Sequence, residues 1–135
     1  MLRTVRQVFD DVALFVAGRQ GIVVASNHPL MASRKRLAEL STRPAIRAHL
    51  SPRALAQGGL VALLDELMLS GPELDQFIAD SARDGAALVS TDENLYLEYA
   101  TPRGNIMRYD ASLARTMDLL AQYRRADAPA RHLVP

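Results

Sequence analysis

The chain has no cysteine, which removes disulfides, thiol nucleophiles, zinc knuckles and iron–sulfur ligation together. It has only three histidines, His28, His49 and His132. None has a second histidine or a carboxylate at metal-ligand spacing, so neither a metal site nor a cofactor is expected. There is no G-x-S-x-G elbow, no P-loop and no G-x-G-x-x-G, which leaves nucleophilic hydrolysis, triphosphate binding and dinucleotide binding without a sequence handle. Three pairs of acids are adjacent in sequence: Asp10 with Asp11, Asp65 with Glu66, and Asp92 with Glu93. Neighbours on a helix diverge by about 100 degrees, so such pairs do not converge on one substrate without help from the fold.

Long apolar runs are also missing. Near the N-terminus the uncharged stretch Val12 to Gly18 is too short for the apolar core of an export signal. The longest uncharged run, Gln20 to Ser33, contains Asn27, His28 and Pro29 and falls short of the roughly 18 apolar residues of a spanning helix. The expectation is a cytoplasmic protein without a membrane span.

What is present is an ordinary globular composition: 135 residues, 49% hydrophobic and 23% charged. That length suits one compact domain, placed at residues 1–125, with a loose tail at 126–135 that holds two prolines and little periodicity. The formal charge of +1 conceals an asymmetry. Residues 1–63 hold nine basic side chains against three acids, a balance of +6; residues 64–135 hold seven against twelve, a balance of −5. Charge segregation of this kind points to an anionic partner for the basic half, or to neutralisation of one half by the other. Fifteen of the sixteen basic residues are arginine, whose planar fork suits phosphate and carboxylate. A genome rich in G and C produces the same skew without any chemical selection.

Hydrophobic spacing sketches the elements. Leu2, Val5, Phe9, Val12 and Val16 recur every three or four residues and predict one N-terminal helix ended by Gly18 and Gly21. Gly21 to Ser26 is short, apolar and β-branched, and predicts a buried strand. Ser33 is placed to cap a helix carrying Leu37 and Leu40, Pro44 to open another, and Ser51 with Pro52 to start a third that Gly58 and Gly59 break. Leu60 to Leu69, with Asp65 and Glu66 as its only charges, reads as a helix central to the core. A further helix follows Gly71 and Pro72, with Leu74, Phe77 and Ile78 on one face. Alternation over Leu95 to Tyr109 around Thr101, Pro102, Arg103 and Gly104 predicts a β-hairpin. A last amphipathic helix, capped by Asp110 or Ser112, carries Leu113, Met117, Leu120 and Tyr123 inward. The expected fold class is therefore α+β: helix-rich, with one antiparallel hairpin at about 95–109 and one or two further short strands.

A helix pair before a hairpin invites comparison with winged-helix DNA binders, with Ser51 to Leu69 as the helix-turn-helix and Arg103 at the wing tip. The segment Glu73 to Asp84 carries four acids and one arginine, which repels a phosphate backbone from the recognition position. The better candidate contact is Arg34, Lys35, Arg36, Arg43, Arg47 and Arg53. The functional expectation is a non-catalytic regulatory or binding protein whose basic half engages nucleic acid or another anionic partner. The alternative is a homo-oligomeric adaptor that sets its basic half against an acidic surface of the next copy. Third comes a small enzyme whose site assembles from distant residues.

Overall fold

The structure, a computed structural model, describes residues 1–17, 20–83 and 109–135. The architecture is α+β and helix-rich. Its centre is a three-stranded antiparallel sheet in the order β2-β1-β4, built from β1 (Asp11–Ala17), β2 (Gln20–Ser26) and β4 (Leu67–Ser70). Around it stand α1 (Leu2–Val8), α2 (Arg34–Ser41), α3 (Pro44–Arg47), α4 (Pro52–Ala56), a 3-10 helix (Gly59–Glu66), α5 (Gly71–Arg83) and α6 (Tyr109–Ala121). The chain then forms α7 (Ala128–Arg131) and β5 (Leu133–Val134), which pairs in parallel with β3 (Ala32–Ser33).

The N-terminal helix is half as long as its periodicity predicts. Phe9 adopts extended backbone at φ −117° and ends α1, and the second half of the apolar seam becomes β1. Val12, Leu14 and Val16 satisfy a period of two as well as a helical one. A short apolar run buried on both sides does not distinguish the two. Pairing decides: β1 aligns Asp11 with Ser26 and Ala17 with Gln20 along β2, and Leu14 with Leu69 along β4, with an irregularity between Leu14 and Phe15. The same ambiguity governs Leu60 to Leu69. This segment is not a central helix but a 3-10 helix followed by the fully buried strand β4. Leu64 is consequently half-buried, whereas Leu67 and Leu69 are completely buried. With β4 in place of a second helix, Ser51 to Leu69 is not a helix-turn-helix.

One sheet face packs Val12, Leu14, Val16 and Leu69 against Leu2 and Val5 of α1, Leu74 and Phe77 of α5, and Met117 and Leu120 of α6. Phe77 and Tyr123 meet edge to face at 5.4 Å, and the Tyr123 hydroxyl donates to Asp80. The opposite face is smaller: Ala13, Leu67 and Ala128 form its buried centre, flanked by Phe15 and Leu30. β2 is present as expected but lies at the sheet margin, with Ile22 and Val24 exposed rather than buried.

The last ten residues, expected to be loose, are built into the fold. Ala128 is buried, and β5 aligns Leu133 with Ala32 and Val134 with Ser33. Arg124 does not serve the end of its own helix; it donates to the backbone carbonyls of Asp65 and Leu67 where the 3-10 helix meets β4. Of the expected hairpin, Leu95 to Arg108 lies outside the described residues, and Tyr109 is the first residue of α6.

Candidate anionic-partner face

The candidate site is the run α2–α3–α4. Ser33 caps α2 by accepting from the Arg36 amide at 3.2 Å, and its hydroxyl donates to the Pro135 carbonyl at 3.0 Å. Arg34, Lys35 and Arg36 thereby occupy the first turn, where no acid accompanies them. Cations at the positive end of a helix dipole cost roughly 0.3–1 kcal/mol each, and a nearby anion reverses the sign. Arg43 is the N-cap residue of α3 and Arg47 its last residue, one turn apart. In α4, Ser51 accepts from the Ala54 amide at 3.1 Å and Pro52 fills the first turn, which places Arg53 on the outside. All six cations are exposed.

One serine holds the segment to the core. The Ser41 hydroxyl donates to the Leu37 carbonyl at 2.7 Å and accepts from the Leu60 amide at 2.8 Å, fastening the end of α2 to the 3-10 helix. Beneath Ser41 lies Gly59, at φ 72°, where a Cβ would fall on the Ser41 side chain.

Among the described residues the charge asymmetry is only partly resolved. Arg6 of α1 donates to Asp75 of α5 at 2.9 Å, and Arg131 of α7 to Glu73 of α5 at 2.7 Å. These hydrogen bonds raise both guanidinium groups above the ordinary arginine value. The α2–α4 cations take no part in this exchange. Arg36 pairs with Glu39, the single acid between residues 34 and 57, at 3.4 Å, and Arg53 donates to Gln57 at 3.2 Å. Among the described residues, Arg34, Lys35, Arg43 and Arg47 have no side-chain hydrogen bond or ion pair.

A second constellation was not visible in sequence. His132 Nδ1 lies 2.7 Å from the Leu30 carbonyl, and Nε2 lies 2.9 Å from the Ser70 hydroxyl. The geometry is that of a serine with a positioned base, but Ser70 is 1% exposed and has no route to a substrate. The contact is structural. Beside the ring lies a small apolar recess of about 190 Å³ with Ala13, Phe15, Leu30 and Leu64 on its walls. Another concavity, about 400 Å³ and polar, opens between α5 and the end of α6 at Glu73, Gln76, Tyr123 and Arg125. Among the described residues no cluster of three or more histidines or acids is placed to hold a metal, and no helix is long and apolar enough to cross a membrane. His28 and His49 are exposed on separate turns.

No protein family, curated protein or solved structure matches the chain.

Proposed function

We propose that the chain is a non-catalytic binding or regulatory protein that engages an anionic macromolecule through Arg34, Lys35, Arg36, Arg43, Arg47 and Arg53. The observation that carries this reading is the contrast in pairing. Arg6 and Arg131 are matched to acids across the fold, while four of the six α2–α4 cations have no partner among the described residues. Like charges crowded on one exposed segment repel each other. A fold that leaves them together is stabilised there by whatever supplies the missing negative charge.

Nucleic acid is the first partner to test. Arginine forks match phosphate oxygens, and contacts of this kind are long-range and salt-sensitive. Homo-oligomerisation through an acidic surface of a second copy is a weaker alternative, because Glu73 and Asp75 of α5 already hold Arg131 and Arg6. A cytoplasmic setting goes with either reading. The test is retention of a generic DNA or RNA fragment at about 50 mM salt, where phosphate contacts are strong. Replacing Arg34, Lys35 and Arg36 with glutamate is expected to abolish retention and leave the melting curve unchanged. Undiminished retention by that variant overturns the proposed face.

A further inference from the structure

Alongside the basic face runs an open groove of about 680 Å³. Ile46, His49 and Leu50 form one wall, Ala54 of α4 is buried in it, and Leu60 and Leu63 of the 3-10 helix complete it. Leu63 is 43% exposed. Among the described residues the lining holds no acid, and its one ring is the exposed His49 imidazole. Arginines adjoin the lining residues in sequence. Arg43 is the N-cap of the short helix that holds Ile46, Arg47 is its last residue, directly after Ile46, and Arg53 immediately precedes Ala54.

An apolar channel beside cations that no acid pairs among the described residues selects its occupant on two counts. Single-stranded nucleic acid satisfies the charge, but among the described residues it finds one imidazole, His49, for stacking, against the aliphatic side chains of Ile46, Leu50, Ala54, Leu60 and Leu63. An extended strand needs a free sheet edge, and the groove lies between helices. An amphipathic helix satisfies both counts, because side chains at i, i+3, i+4 and i+7 fill a groove while acids beside that stripe meet the arginines. We infer that the groove between α3, α4 and the 3-10 helix docks an amphipathic helix of a partner protein that carries glutamate or aspartate beside its apolar stripe. This rests on the anionic-partner reading and gives that partner a shape.

The test uses the full chain and labelled helical peptides of about 14 residues, close to four turns. One has leucines in a stripe flanked by glutamate; a second has the same composition shuffled so that no stripe forms; a third replaces glutamate with lysine. Single- and double-stranded oligonucleotides of random sequence complete the set. Fluorescence anisotropy is expected to show the acidic striped peptide binding at least about tenfold more tightly than either control peptide. Leu63→Glu, a change at an exposed position, is expected to remove that preference while the melting curve and any binding of the shuffled acidic peptide persist. Arg43→Ala with Arg47→Ala is expected to weaken both acidic peptides and flatten their salt dependence. Equal binding of striped and shuffled acidic peptides, or no effect of Leu63→Glu, overturns the groove and leaves the basic face standing. Tighter binding of an oligonucleotide than of the striped peptide replaces the protein partner with nucleic acid. Binding of none of the acidic probes overturns both proposals.

Discussion

The Nε2 atom of His132 lies 2.9 Å from the Ser70 hydroxyl, joining the last residue of β4 to the residue just before β5. A carbonyl only accepts, so the ring's Nδ1–H donates to Leu30, and in the neutral imidazole Nε2 accepts from Ser70. One side chain thus ties together the sheet, the approach to β3 and the C-terminal strand. The residue just after that strand, Pro135, supplies the carbonyl that receives the Ser33 hydroxyl at the N-cap of α2. The basic face is therefore aligned from behind by residues about a hundred positions later in the chain.

Removing the ring tests this latch. His132→Ala leaves the buried Ser70 hydroxyl without its partner and is expected to cost about 1–3 kcal/mol in a denaturant melt. Ser70→Ala removes the hydroxyl as well as its need, and is expected to cost less. A loss below about 0.5 kcal/mol for His132→Ala, the scale of an ordinary surface change, contradicts the latch.

The strand assignment of β4 is tested by comparing three leucines. Leu69→Ala is expected to cost about 2–5 kcal/mol because the site is closed on all sides, Leu64→Ala distinctly less, and Leu63→Ala no more than about 0.5 kcal/mol. A cost for Leu64 equal to that for Leu69 would restore a central helix in this segment.

Local signals in the sequence were reliable where one side chain does the work. Ser33 and Ser51 cap α2 and α4, Pro44 and Pro52 open their helices, and Gly71 with Pro72 begins α5, all as their chemistry dictates. The two helices misread in place of strands share one cause. Val12 to Val16 and Leu67 to Leu69 are apolar on consecutive residues, and only pairing with strands elsewhere in the chain settles such a run as strand. The six cations were legible because charge shows in composition. The groove was not, because Ile46, Leu50, Leu60 and Leu63 read as core until the 3-10 helix turns Leu63 outward. The latch was hidden by the sequence separation of 62 between Ser70 and His132.

The junction of α2 with the 3-10 helix depends on a missing Cβ. Gly59→Ala combines positive φ with collision against Ser41, whereas Gly58→Ala meets open space at φ 104° and bears backbone strain alone. Gly59→Ala is expected to lower the melting temperature more than Gly58→Ala. It is also expected to weaken anionic-partner binding, because Ser41 holds α2 in place. The reverse order of melting temperatures contradicts the packing described for Ser41.

The central claim is that the α2–α4 cations meet an anionic partner, and a salt titration of binding on the unmodified protein tests it most directly. Retention of DNA, RNA or an acidic helical peptide is expected at about 50 mM salt, with affinity falling steeply as salt rises because each phosphate or carboxylate contact is screened or exchanged for counterions. Failure to retain any of these probes at about 50 mM salt, or an affinity indifferent to salt, contradicts it.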